Sequence, residues 1–360
     1  MALSDNPILD MPPFGLSSAE KNQILSLLLG DLTKFHYENC EPYQKVLDAL
    51  NFDINKPVHY TELPFIPVRL FKEMDLLSIS QNDIFKTMTS SGTTGQNVSK
   101  IFLNKETASL QQKILVKIVS NFLGASRLPM LIIDSPSIIQ DRQLFTARGA
   151  GILGFSIFGI DRTYALNEDM SINIPLIEQF LESHKGKKVL LFGFTYIIWQ
   201  HFFKALTQLN KKINLSGGIL IHGGGWKKLL SESVSKETFK ASLRHCCSIT
   251  HIHDYYGMVE QTGCIYMECD YGHLHASIFS DVIIRNPKDF SIARIGEKGI
   301  IQVMSILPES YPGHSLLTED EGVILGVDDC LCGRKGSYFS IIGRLKRAEI
   351  RGCSDTYEQH

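Results

Sequence analysis

Apolar residues recur at helical spacing from 17 to 50, where AEKNQILSLLLGDL follows Ser17 and Ser18, either of which can cap a helix. The same spacing returns over 105–123, in SINIPLIEQFLESHKG and in YIIWQHFFKALTQLN. Between these stretches lie unbroken apolar runs, PMLIID (129–134), KKVLLFGF (187–194) and GGILIHGGG (217–225). Such runs suit strands buried on both faces. Strands alternating with helices predict an α/β fold whose sheet contains parallel pairs. From about residue 270 the rhythm changes to HLHASIFSDVIIR, KGIIQVMSI, GVILGV and YFSIIGR, which predict a β-rich subdomain. Earlier, Pro57–Pro67 reads as a loop entering a short strand, and NDIFKTMTSSGTTG as a strand, a glycine-rich turn and a polar linker.

That turn, Ser90-Ser91-Gly92-Thr93-Thr94-Gly95, carries the first chemistry. Its glycines let the backbone approach an anion closely, and its hydroxyls and exposed N–H groups supply donors for phosphate oxygens. No Gly-Lys-Ser/Thr follows, so it is not a Walker loop, and a polar surface turn has the same composition.

Charge and composition narrow the class. A net charge of −2 offers no basic field for nucleic acid or an anionic membrane, and 44% apolar residues can build a large core. The N-terminus lacks a basic segment followed by an apolar run, and no stretch reaches the ~20 apolar residues of a membrane span. Cytoplasmic residence is the expectation, with the eight cysteines reduced.

SSGTTG resembles the phosphate-binding signature of the adenylate-forming superfamily, which includes acyl-CoA synthetases and luciferases. Other superfamily motifs follow in order. Gly223-Gly224-Gly225 resembles the glycine pair that walls the adenine. Asp254 to Thr262, DYYGMVEQT, resembles the Tyr-Gly-x-Thr-Glu element, with Val259 in place of the threonine. There the resemblance implies that Tyr256 stacks on adenine, that Gly257 beside it belongs to the cofactor-binding residues, and that Glu260 holds Mg²⁺. Thr318-Glu319-Asp320 resembles Thr-Gly-Asp, whose aspartate binds the ribose, although Glu319 stands where the glycine would be. Gly343-Arg344 resembles the Gly-Arg pair whose arginine reaches the nucleotide. The fold so implied is the α/β large domain of these enzymes over residues 1–343, with its β-rich part at about 270–343. The usual C-terminal lid of about 100 residues, with its adenylation lysine, is expected to be absent, leaving a short tail over 344–360.

The tail narrows the resemblance. RLKRAEIRGCSDTYE, with TELPFIPVRLFK, DYYGMVEQTG and the segment LPESYPGHSLLTED, resembles the acyl-protein synthetase (LuxE) family of luminous bacteria. The resemblance implies ATP-dependent activation of a long-chain fatty acid. It further implies acyl transfer to Cys353 near the C-terminus, then delivery to an acyl reductase subunit, with an acyl thioesterase as a further partner. Lys346 and Arg351 would favour the Cys353 thiolate. Arg344, Lys346 and Arg351 are candidates to replace the lid lysine. Two other functions stay open: a CoA ligase using coenzyme A as acceptor, and a non-catalytic subunit of a reductase complex.

One cysteine grouping points to a metal. Cys264, Cys269, His273 and His275 share a segment, and Cys330 and Cys332 form a CxC pair. The selected set, Cys269, His275, Cys330 and Cys332, would make a structural Cys₃His zinc site, an arrangement similar to one in phenylacetate-CoA-ligase-like proteins. Buried thiols beside polar loop histidines are the alternative. The segments FGFTYIIWQHFF and GAGILGFSIFGI read as core or as the lining of an acyl pocket.

Overall fold

Ser17 caps the first long helix, Ser18–Asn39, with a reciprocal box: the Glu20 amide donates to Ser17 Oγ, and the Ser17 amide donates to the Glu20 carboxylate at 2.8 Å. This is seen in a computed structural model that describes residues 3–90, 98–139, 147–226 and 232–345. The described chain forms two units. One comprises residues 3–90, 98–121 and 256–345, the other 122–255 where described.

In the first unit the capped helix buries Lys21, Leu25, Leu29, Thr33 and His36 along one stripe, so three of these five residues are polar. Each polar group has an answering partner. The Lys21 ammonium lies 3.3 Å from the Asp281 carboxylate, to which the Tyr60 hydroxyl also donates at 2.7 Å. His36 donates from Nε2 to the Pro308 carbonyl at 2.9 Å, so its Nδ1 accepts the Ser78 hydroxyl at 2.8 Å. The ring stacks on His314 at 5.0 Å, and the Thr33 hydroxyl, spent as donor on Leu29, accepts from His314 Nε2 at 3.0 Å.

Burial pushes His36 down to about 3, and burial together with His36 pushes His314 well below its ordinary 6.5. Both rings are therefore neutral when folded and take up protons only on unfolding. Their contribution is fully present above pH 6.5 and is lost as pH falls from there toward 3. Each ring should cost roughly 2 kcal/mol of stability by pH 5, measured by urea unfolding. His314→Gln should flatten that slope, and an unchanged midpoint between pH 7 and pH 5 would contradict the account.

The sheet of this unit runs Ser280–Arg285, Lys298–Ser305, Ser315–Val327, Ser337–Arg344, Leu274–His275, Tyr266–Glu268. Its recorded ladders are antiparallel, apart from Ile66–Pro67 lying parallel to Leu316 and Leu317. Branched and aromatic residues on its inner face, among them Ile301, Val303, Leu316 and Phe339, build the core. The β-rich run expected from about residue 270 is thus present, joined by the N-terminal third of the chain. One local reading is corrected: the segment after the glycine-rich turn is not all linker, because Lys100–Leu103 returns to pair with Lys86–Thr89.

The second unit holds a parallel sheet whose five described strands run in the order Gly159–Tyr164, Leu128–Ile133, Val189–Phe194, Gly218–Gly223, His251–Tyr256, the last ending at the first residue of the other unit. Every residue of Val189–Phe194 and Gly218–Gly223 is buried, as helices on a sheet require. The helices Ala147–Phe155, Ile174–Ser183 and Lys236–Cys247 belong here, as does a helical stretch from Thr195 to Gln208 with a π-helical turn at Ile198–Phe203. The two apolar segments singled out in the sequence pack together: Phe155 stacks on Phe192 at 4.4 Å, and a Cβ on Gly151 would lie 2.9 Å from the Phe194 ring. Among the described residues no helix is long and apolar enough to cross a membrane.

Candidate active site

Thr318, Glu319 and Asp320 sit where the sheet of the first unit loses register. Leu317 pairs with Gln302 and Glu321 with Ile300, so three residues of one strand face a single residue of the other and bulge out. The Thr318 hydroxyl fills the gap, donating to the Ile301 carbonyl at 2.8 Å and accepting the Asp320 amide at 3.1 Å. Asp320 is thereby projected beside Arg344, its direct partner on the next strand. The Tyr256 hydroxyl donates to Asp320 Oδ2 at 2.7 Å, and Arg344 Nη2 lies 3.1 Å from Glu319 Oε2. Burial raises the Asp320 carboxyl, while Tyr256 and Arg344 act against that rise. The Tyr256 ring is half-buried against Tyr266 and Phe339, with centroids 6.0 and 6.3 Å away.

Glu260 follows on a single turn that is tied down from both sides. The Tyr311 hydroxyl donates to the Glu260 carbonyl at 2.9 Å, and the Gln261 side chain donates to the Gly313 and Val303 carbonyls. Gly263, at φ +92°, closes the turn so tightly that a Cβ would lie 2.6 Å from the Gln111 carbonyl oxygen. A Cβ on Gly257 would press on Ile265 at 2.9 Å. The Glu260 side chain is 6% exposed. Burial raises its carboxyl and Glu319 adds to the rise, whereas the Ser99 hydroxyl and Lys72 favour the ionised form. A carboxyl buried in this way is stable in its ionised form only where positive charge compensates it.

Ser90 stands at the neck of the glycine-rich turn. Its hydroxyl accepts the Ser99 amide at 2.9 Å, and its own amide donates to the Ser99 carbonyl. Ser91, Gly92, Thr93, Thr94 and Gly95 lie outside the described residues, as do Lys346, Arg351 and Cys353. In the second unit Gly224 (φ +87°) and Gly225 (φ +57°) end a strand in left-handed backbone, and a Cβ on Gly224 would meet Phe194 at 2.7 Å. The Thr195 hydroxyl contacts both the Gly223 carbonyl, at 3.1 Å, and His222 Nδ1, at 2.9 Å.

The four selected metal-site residues come together. The donor atoms of Cys269, His275, Cys330 and Cys332 all lie within 4.8 Å of one another. The Cys269 and Cys330 sulfurs are 4.0 Å apart, and Cys332 Sγ is 3.3 Å from His275 Nε2. Tetrahedral zinc with sulfurs at ~2.3 Å sets S···S near 3.8 Å, so the donor set fits that ion. Cys264 is elsewhere, directed at the Phe279 carbonyl, while His273 Nδ1 approaches Cys330 at 3.3 Å.

A family model, acyl-protein synthetase LuxE, matches residues 2–360. The chain belongs to that family. It is accordingly an enzyme, an ATP-dependent ligase. The LuxE chain is 22% identical to the long-chain-fatty-acid–luciferin-component ligase of Vibrio harveyi, over 95% of this chain and 89% of that one. It is also 22% identical to the ligase of the same name from Aliivibrio fischeri, over 97% and 92%. Its fold is similar to 2-hydroxyisobutyryl-CoA ligase in an open conformation with acyl-AMP and CoA: TM-score 0.70, 13% identity, 92% of this chain and 76% of that one. The thioesterification state of that ligase gives 0.69 at 14% identity, over 93% and 70%. The adenylate-forming α/β fold expected from the motifs is therefore shown.

The LuxE motifs did not reveal everything. Ser99, Lys72 and Tyr311 support Glu260 from distant parts of the chain, and no local pattern marks them. In the sequence Glu319 stands out only as a departure from glycine; its ion pair with Arg344 follows from strand pairing.

Proposed function

We propose that this LuxE protein activates a carboxylic acid of the long-chain fatty class with ATP and transfers the acyl group to its own Cys353. The observation that carries the reading is the hydrogen bond from the Tyr256 hydroxyl to Asp320, which a strand bulge projects beside Arg344, with the buried Glu260 four residues after Tyr256. By their motifs Asp320 takes the ribose hydroxyls, Tyr256 the adenine face, Gly223 and Gly224 the adenine wall, and Ser90 to Gly95 the β- and γ-phosphates. Magnesium, held through Glu260, would neutralise charge on the triphosphate.

The acid's carboxylate oxygen attacks the α-phosphorus, the bond to the bridging oxygen breaks, and pyrophosphate leaves with that electron pair. The mixed anhydride is then attacked at its acyl carbon by the Cys353 thiolate, and AMP departs as the thioester forms. Arg344, which the Glu319 carboxylate holds at 3.1 Å, would offset charge at the α-phosphate. The thioester would pass to an acyl reductase, with a thioesterase as a source of acid. Zinc, bound by Cys269, His275, Cys330 and Cys332, would serve structure only.

Incubation with ATP, Mg²⁺ and a series of acids, followed by intact-protein mass spectrometry and peptide mapping, tests the reading. A hydroxylamine-labile acyl adduct on Cys353 is expected, lost in Cys353→Ser while pyrophosphate exchange continues. AMP and pyrophosphate accumulating without an adduct would instead assign a diffusible acceptor such as coenzyme A.

A further inference from the structure

A cavity of about 630 Å³ opens in the second unit, where the strands Val189–Phe194 and Gly218–Gly223 begin. It therefore lies at the opposite edge of the parallel sheet from Gly223 and Gly224, some six residues, or about 20 Å, along the strands. Its volume falls within the range of small-molecule sites.

The charges around it do not cancel. Lys185, Lys187, Lys188 and Lys212 line it, with Glu178 and Glu182 as the acidic lining residues. Both carboxylates are already engaged: Glu178 by Lys211, which is not a lining residue, at 2.8 Å, and Glu182 by Lys185 at 3.5 Å. Among the described residues Lys187, Lys188 and Lys212 have no carboxylate partner. Three lysines thus remain without a carboxylate partner among the residues lining one concavity, on the loops 184–188 and 211–217. A second observation concerns the wall. His184 Nδ1 is buried there without a hydrogen-bond partner among the described residues, its ring held edge-on against Phe180 at 4.7 Å. A buried polar atom of this kind is ordinarily satisfied by a neighbour, a water or a ligand.

We propose that this cavity is a second ligand site, independent of the nucleotide site, which takes a small molecule carrying two or more phosphate groups. Lysines are compact point charges suited to phosphate oxygens, whereas planar carboxylates are matched by the arginine fork, and no arginine lines the cavity. The volume exceeds that of a single phosphate, and three separate ammonium groups can serve at least two.

The test is isothermal calorimetry with pyrophosphate and with tripolyphosphate. The protein is first saturated with a non-hydrolysable ATP analogue, so that the nucleotide site is filled. One equivalent should still bind, with affinity falling steeply as salt is raised. The affinity should drop at least tenfold in Lys187→Gln/Lys188→Gln/Lys212→Gln, whose circular dichroism and pyrophosphate exchange should match the parent. Citrate at matched ionic strength should bind at least tenfold more weakly than tripolyphosphate. No binding beyond the nucleotide site, or equal binding by parent and triple variant, would overturn the proposal. If the protein does not bind the ATP analogue at all, the lysine-dependent equivalent is still expected, which separates this site from the adenylation reading.

Discussion

Glu260→Gln should lower ATP–pyrophosphate exchange by about 10²- to 10³-fold while the protein stays folded. The amide keeps the shape of the side chain, and the turn is fixed by contacts that do not involve the carboxylate: Tyr311 to the Glu260 carbonyl, and Gln261 to Gly313 and Val303. What is lost is the negative charge that would hold the cation. Stability should move the other way. Burial raises the Glu260 carboxyl in the folded state, so its ionised form is disfavoured by folding. That penalty is absent in acid and grows as pH rises above 4.5 and through the raised value. At neutral pH the glutamine variant should melt no lower than the parent. A variant that keeps full exchange activity would remove Glu260 from the site, and one that melts much lower would make it a structural residue.

The second large effect is expected at the cysteine cluster. Protein purified without chelator should carry one zinc per chain by elemental analysis. Cys330→Ser/Cys332→Ser should carry none. Loss of a metal present at a thousandfold excess over its Kd costs about 4 kcal/mol, enough to lower the melting temperature by at least about 5 °C. The cluster ties the turn after Tyr266–Glu268 and the strand Leu274–His275 to the loop that follows Ser315–Val327. That long strand also carries Asp320, seven residues before its end, or about 23 Å at ~3.3 Å per residue. Pyrophosphate exchange at a temperature where the variant is folded should therefore fall less than tenfold. Metal-free native protein with an unchanged melting point in the variant would mean that the thiols simply pack.

The candidate residues could be singled out in the sequence where their motifs are local. The hydroxyl–glycine turn, Tyr256-Gly257 with Glu260, and Asp320 each sit in a short motif whose order along the chain carried the family resemblance. Cys269, His275, Cys330 and Cys332 could be singled out because the CxC pair and the Cys269 to His275 segment are compact, and the structure puts His275 beside Cys332 and His273 beside Cys330. The inner stripe of the first helix was not legible. Lys21, Thr33 and His36 look like solvent-facing positions until Asp281, His314 and Ser78, up to 281 residues away, are seen to meet them.

The sequence by itself determined the alternation of helix and strand, the parallel core made of unbroken apolar runs, and the motif order of an adenylate-forming enzyme. Those depend on periodicity and on residues a few positions apart, which the backbone places together whatever the rest of the chain does. Tertiary structure alone decided that Thr318 to Asp320 bulge out of the sheet, that Tyr256 and Arg344 flank Asp320, and that Glu260 is buried with Ser99 and Lys72 favouring its ionised form. Register between distant strands and the loss of water around a carboxylate are properties of packing, and no local pattern of residues encodes them.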